Sequence, residues 1–292
     1  MSIKLGFADF WGGFNYNPDI NVNSEKMYYG DNTLYTILSE KFDIETSSNP
    51  DILIYSVFGN SHTRYNCTKI FYTGENIRPN YSQCDYSLTF DYLNDNRNYR
   101  YPLSAITLYE SGVKDTFPKV IDFDKIKSEK TKFCNFVFSN PNAQLRNQLL
   151  YELSKYKMVD SGGRALNNIG YAVSDKLEFI NNYKFTICFE NSEYPGYTTE
   201  KLVHPKLKNS IPIYWGNPRV AEEWNTKSFI NAYDFKNLNE LIEYIKEVDN
   251  NDELYHSMLL EPHFKNDELP YHLNNKNLFD FFEGILKEKN LI

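Results

Sequence analysis

Between Glu190 and Lys201 the chain gathers Glu190, Asn191, Ser192, Tyr197, Glu200 and Lys201 into twelve residues. The apolar run Phe185–Phe189 before them reads as a strand, and Thr199 to about Leu207 reads as a helix. A strand ending in Glu-Asn-Ser delivers a carboxylate and an amide at the carboxyl edge of a parallel sheet, where such folds bind ligands. The loop Tyr194-Pro195-Gly196-Tyr197 then turns into a helix whose first N–H groups are unpaired. Those groups and the helix dipole favour an anion such as a diphosphate. Lys201 adds a formal charge beside them, and Glu200 can accept from ribose hydroxyls. The plainer alternative makes Glu200 an ordinary first-turn acid and Lys201 a solvated helix residue.

A second cluster is Phe71-Tyr72-Thr73-Gly74-Glu75-Asn76. A strand running into Thr-Gly-Glu-Asn puts the Glu75 carboxylate on a tight loop, the setting a general base needs. The alternative is a solvated surface turn. Asp122-Phe123-Asp124 matches a metal-holding carboxylate pair, which would suit a metal-dependent glycosyltransferase using another nucleotide sugar. Glu75 with Glu190 would suit a glycoside hydrolase, although that reading leaves Lys201 without a purpose. The histidines show no ligand spacing.

The elements that must hold these groups alternate. Strands are expected at Ile3–Ala8, near Phe42–Ile44, and at Ile52–Val57, Lys69–Tyr72 and Tyr86–Phe90, with Leu34, Ile37 and Leu38 on a helix face. A Gly-rich loop, Trp11-Gly12-Gly13, follows the first strand. After a charged stretch the alternation restarts with a strand at Phe133–Phe138. Asn140-Pro141 reads as a helix start, and Leu145, Leu149, Leu153 and Tyr156 recur on one helix face. Lys176–Tyr183 and a helix through Leu238, Leu241, Ile242, Ile245 and Val248 follow, with Leu278, Phe282, Ile285 and Leu286 on the last helix. Pro205 should shorten or kink the helix after Thr199. Alternation of this kind predicts an α/β protein with parallel, doubly wound sheets. The expected domains are an N-terminal lobe over 1–115 joined by the C-terminal helix 275–292, a linker over 116–132, and a C-terminal lobe over 133–274.

Composition narrows the function classes. A net charge of −8 argues against broad binding to nucleic acid or anionic membrane. No apolar run approaches the ~20 residues of a membrane-spanning helix. No export signal is visible, so a soluble, cytoplasmic protein is expected, with Cys67, Cys84, Cys134 and Cys188 as free thiols.

Taken in order, Phe71-Tyr-Thr-Gly-Glu-Asn-Ile-Arg-Pro79, Tyr183-Lys-Phe-Thr-Ile-Cys-Phe-Glu-Asn-Ser192 and Gly196-Tyr-Thr-Thr-Glu-Lys-Leu202 resemble the α1,3/α1,4-fucosyltransferases, glycosyltransferase family ten, and most closely their soluble bacterial members. The likeness runs from roughly residue 50 to 250. It implies a GT-B fold, two Rossmann-like lobes facing a central cleft, with acceptor held mainly by the first and GDP-fucose by the second. By the same resemblance Glu75 is the general base, Glu200 lies on the ribose and Lys201 on the phosphates, with Asn191 and Tyr197 at donor-binding positions. Glu190 would meet the fucose ring or support Asn191. In Asp160-Ser-Gly-Gly-Arg164-Ala-Leu-Asn-Asn-Ile-Gly-Tyr171, Arg164 resembles the phosphate arginine, and Tyr171 closes that donor-binding motif. The implied reaction is inverting and metal-independent, with no cofactor beyond the GDP-fucose substrate. Its implied acceptor is the 3-hydroxyl, or the 4-hydroxyl, of N-acetylglucosamine or glucose in a lactosamine- or lactose-type oligosaccharide, as in Lewis antigens. A fucoside hydrolase is the alternative.

Overall fold

A computed structural model describes residues 2–10, 33–113, 117 and 121–292. The Trp11-Gly12-Gly13 loop and parts of the charged stretch at 114–116 and 118–120 lie outside the described residues. The chain divides into two compact units, Met1–Asp115 with Pro270–Ile292, and Thr116–Leu269.

Unit 1 is built on six strands: β1 (Ile3–Ala8), β2 (Ile44–Thr46), β3 (Ile52–Tyr55), β4 (Thr68–Tyr72), β5 (Tyr86–Thr89) and β6 (Asn98–Arg100). Helices α1 (Thr33–Ser39) and α2 (Leu103–Glu110) accompany them. All pairings are parallel, in the order β2-β1-β3-β4-β5-β6. Leu5 pairs with Ile52, Ile52 with Thr68, and Ile70 with Tyr86. The Ile-Leu-Ile-Tyr of β3 is buried throughout, as a central strand of a parallel sheet must be when both faces are covered.

In unit 2 the helix α3 (Phe123–Glu129) precedes β7 (Lys132–Phe136), α4 (Gln144–Ser154), β8 (Val159–Ser161) and α5 (Lys176–Ile180). Then come β9 (Tyr183–Phe189), α6 (Glu200–Leu207), β10 (Ile211–Trp215), β11 (Ile230–Asn231), α7 (Leu238–Asn250) and α8 (Asp252–Leu260). This sheet is also wholly parallel, in the order β11-β10-β9-β7-β8. Its core joins Cys134, Phe136, Phe185, Ile187 and Ile213 of the strands to Leu149, Leu153, Ile245 and Val248 of the helices. Finally α9 (Asn275–Glu288) closes unit 1: Phe282 packs 5.2 Å from Phe42 and Phe281 5.5 Å from Tyr99, centroid to centroid.

Three local expectations shift. The stretch expected as a linker holds α3, whose N-cap is Asp122; its side chain accepts from Lys125 N at 3.1 Å. Asp122 of the Asp-x-Asp string therefore does helix-capping work. Asn140 starts no helix: its side chain accepts from Asn142 N at 2.9 Å, a local turn, and α4 begins at Gln144. On α4 the buried face is Arg146, Leu149, Leu150 and Leu153, whereas Leu145 is left outside. Among the described residues no helix is long and apolar enough to cross a membrane.

Candidate active site

The residues singled out in unit 2 leave the carboxyl ends of its strands. The segment after β9 carries Glu190 and Asn191 into the 194–199 loop, and that loop ends at Thr199, the N-cap of α6. Glu190 is fully buried. Its Oε1 accepts from Thr199 N and Thr199 Oγ1, both at 2.9 Å, and its Oε2 lies 3.1 Å from Lys201 Nζ. The Lys201 ammonium also donates to Thr199 Oγ1 at 3.1 Å and stands 3.3 Å from Glu200 Oε1. Lys176 comes within 3.9 Å of the same Glu200 oxygen. An ion pair thus locks the strand end to the first turn of α6.

Electrostatics follow from burial and neighbours. Burial raises the Glu190 carboxyl, and Lys201 opposes it without cancelling it. For Glu200, burial pulls upward too, but Lys201, Lys176 and His204 outweigh it and hold the carboxyl well below its usual range. Burial lowers Lys201, yet Glu190 and Glu200 more than compensate, so its ammonium is held firmly protonated. Lys176 is lowered by burial despite Glu200. His204 is lowered to about 4 by burial and then by Lys176, so it stays neutral at physiological pH.

The loop between Asn191 and Thr199 is held from below. Asn217, wholly buried, accepts from Gly196 N at 2.7 Å and from Arg219 N at 2.9 Å, and donates to Thr198 Oγ1 at 3.0 Å. Tyr214 Oη donates to Tyr197 O at 3.3 Å, and Tyr194 N donates to Gly216 O at 2.9 Å. Gly216 has φ 145°, and a Cβ there would lie 2.3 Å from Glu190 Cγ. Only glycine lets the β10 exit pass so close to the buried carboxylate.

Arg164 and Tyr171 lie elsewhere on the same edge, on the loop after β8, and both are exposed. That loop is braced by Asn168, which accepts from Ser161 N at 2.7 Å and donates to Val159 O at 2.9 Å. Tyr197 is buried and Asn191 exposed. Glu75 belongs to unit 1, on the loop leaving β4, and is exposed; its N donates to Thr73 Oγ1 at 3.0 Å. Arg78 steadies that loop through Asp91 at 2.8 Å and Asn76 at 3.1 Å.

Glu190, Glu200 and Lys201 are thus brought into direct contact, while Asn191 is supported by Arg146, which donates to its Oδ1 at 3.0 Å. Sequence reasoning missed Arg146, Lys176, His204 and Asn217. The signal for Arg146 was available: it stands three and four residues before Leu149 and Leu150, on the face that packs inward.

Two parallel α/β units, with a charged constellation at one carboxyl edge, have the architecture of the GT-B glycosyltransferases, and the chain aligns along nearly its whole length with solved members of that class. Residues 5–109 match the family described as the α-(1,3)-fucosyltransferase FucT N-terminal domain, and residues 127–262 match the glycosyltransferase family 10 (fucosyltransferase) C-terminal region. The chain belongs to glycosyltransferase family 10, the fucosyltransferases. It is 33% identical to α-(1,3)-fucosyltransferase FucT of Helicobacter pylori, over 99% of this chain and 67% of that protein. It is 38% identical to the 4-galactosyl-N-acetylglucosaminide 3-α-L-fucosyltransferase 9 of Mus musculus, over 43% of this chain and 36% of that protein. A crystal structure of an α1,3-fucosyltransferase with GDP-fucose aligns with a TM-score of 0.78 and 32% identity, covering 98% of this chain and 90% of that one.

Two consequences are measurable. Gly216→Ala should destabilise unit 2 by about 2–4 kcal/mol, from the unfavourable φ and the collision with Glu190 together. Urea unfolding at wild-type midpoint would contradict that close approach. His204 ordinarily titrates at 6.5 and is lowered to about 4 here, so the unfolded chain binds its proton first as pH falls. Stability from keeping it neutral is complete above pH 6.5 and is lost down to about pH 4, by at most about 3 kcal/mol at 1.36 per pKa unit. His204→Gln should flatten that slope in unfolding measured across this window; an unchanged slope would exclude His204 as its source.

Proposed function

We propose that the chain transfers L-fucose from GDP-fucose to the 3-hydroxyl of N-acetylglucosamine or glucose in a lactosamine- or lactose-type glycan, with inversion to an α linkage. The observation that carries the reading is the similarity, over nearly the whole chain, to a fucosyltransferase structure with GDP-fucose. The name of the mouse relative supports a galactosyl-N-acetylglucosamine acceptor and the 3-linkage.

In this reading Glu75 takes the proton from the acceptor hydroxyl as its oxygen bonds to C1 of fucose, while the bond from C1 to the β-phosphate oxygen breaks and GDP departs with the electron pair. An exposed carboxylate on a braced loop suits that role, since the base must reach an incoming hydroxyl. Charge grows on the diphosphate as GDP leaves. Lys201, Arg164 and the start of α6 stabilise it, which lowers the barrier as well as tightening binding. Glu200, held ionised, accepts from the ribose hydroxyls, and Asn191, Tyr197 and Tyr171 complete the donor side. Glu190, with both oxygens engaged inside the protein, acts by holding Lys201 and Thr199. No step calls on a metal. A cytoplasmic location belongs to the same reading, supported by Cys67, Cys84, Cys134 and Cys188 standing as free thiols.

Glu75→Gln should retain GDP-fucose affinity by calorimetry while transfer falls about 10²–10⁴-fold. Turnover within a few-fold of wild type would remove Glu75 from the role of base.

A further inference from the structure

Unit 2 also holds a cavity of about 270 Å³ beside β11, the outermost strand of its sheet. The short turns Thr226–Ser228 and Ala232–Asp234 flank that strand, and α7 and α8 add Tyr244 and Met258 to the lining. No residue placed on the donor side belongs to it. Asn231, which pairs with Tyr214 in the ladder, lines the cavity at 6% exposure. Its Nδ2 donates to Asp234 Oδ1 at 2.9 Å. Its own Oδ1 is shielded from water, and among the described residues no donor reaches it. An amide oxygen so placed is destabilising until an N–H or O–H is brought to it.

The other lining groups define what can bring that donor. Lys227 and Asp234 are exposed charges of opposite sign, and Phe235 packs with Tyr244, ring centres 5.2 Å apart. An anion would face Asp234, a cation would face Lys227, and an apolar ligand would leave the Asn231 oxygen bare. A neutral ring with hydroxyls on its rim and C–H groups on its face meets every one of these demands. The volume falls just below the roughly 300–1,000 Å³ of sites for drug-sized ligands, which suits a single ring. We propose that this cavity is a second carbohydrate subsite, taking one neutral pyranose residue of a glycan. Its C–H face packs on Phe235 and Tyr244, and its hydroxyls donate to Asn231 and Asp234 and accept from Lys227. No reacting group lies here, so the subsite serves retention: a glycan gripped at a second point stays with the enzyme longer. The inference does not depend on which sugar nucleotide is the donor.

The test is a titration of the whole isotope-labelled chain with N-acetylglucosamine, and separately with galactose, followed by backbone amide NMR with and without GDP. Saturable shifts should gather at 226–235 and at Tyr244, at roughly millimolar affinity, and should be the same in both conditions. Asp234→Ala and Lys227→Ala change exposed side chains, and each should weaken the affinity about tenfold. Protonated glucosamine and glucuronate should bind no more tightly than the neutral sugars. Absence of saturable shifts on this face would overturn the proposal. So would shifts confined to unit 1 or to the loop before α6, which would place sugar binding at the reaction site alone. A charged analogue bound tenfold more tightly would overturn the neutral class of ligand. Asp234→Ala with wild-type affinity would overturn the site, and if that variant fails to fold, Lys227→Ala decides. GDP that moves no amide would instead defeat the donor reading and leave this one standing.

Discussion

A carboxylate with no exposure to water has to be neutral or intimately paired, and Glu190 is paired on every side. That requirement organises the ligand edge of unit 2. One partner is Thr199, whose N–H and hydroxyl both point at Glu190, which places the start of α6 directly over the end of β9. The other partner is Lys201, brought over the first turn and drawn between Glu190 and Glu200. The β10 exit must then pass within a methyl group's width of the same carboxylate, which only Gly216 permits. Buried ion pairs seldom stabilise a fold more than packed hydrophobes would, because desolvation offsets the attraction. Their consequence here is geometric: an ammonium is held in one place beside the N-terminus of a helix.

The same economy runs through the site. Asn217 holds the backbone of the loop before α6 through Gly196 N, Arg146 holds the exposed Asn191, and Asn168 braces the start of the loop that carries the exposed Arg164 and Tyr171. Rigid support beneath and polar groups outward is the arrangement expected where charge must be met without reorganisation during reaction. Glu75 follows a related plan in unit 1, exposed on a loop that Thr73, Arg78 and Asp91 hold still.

Much of the fold is legible in the sequence alone. The apolar runs at Ile52–Tyr55 and, broken only by Thr186, at Phe185–Phe189 are strands of parallel sheets because burial on both faces leaves no room for alternation. The last helix shows its inward face plainly in Leu278, Phe282, Ile285 and Leu286. α4 misleads because leucines at 145, 149 and 153 form a stripe at spacing four, which drifts around a helix with 3.6 residues per turn. Arginine at 146 hides the true face. Asn140-Pro141 carried the letters of a helix start, but its side chain closes a turn instead. Glu190 stood out as a carboxylate at a strand end, expected to meet the fucose ring or support Asn191. Its contacts with Thr199 and Lys201 were not legible, because they depend on where a loop nine residues later returns.

The buried Glu190–Lys201 pair makes opposite demands on nucleotide affinity, and this allows a direct test. In the proposed donor site, removing a negative charge close to the diphosphate should strengthen binding if Glu190 is only a nearby charge. If Glu190 is the anchor of Lys201 and Thr199, the same change should weaken it. The measurement is calorimetric titration of GDP into wild type and Glu190→Gln, at one salt concentration, with melting curves showing that both are folded. The account predicts affinity lower by about tenfold or more in the variant, the effect of one misplaced charge-assisted contact. GDP bound as tightly as by wild type, or more tightly, would contradict it.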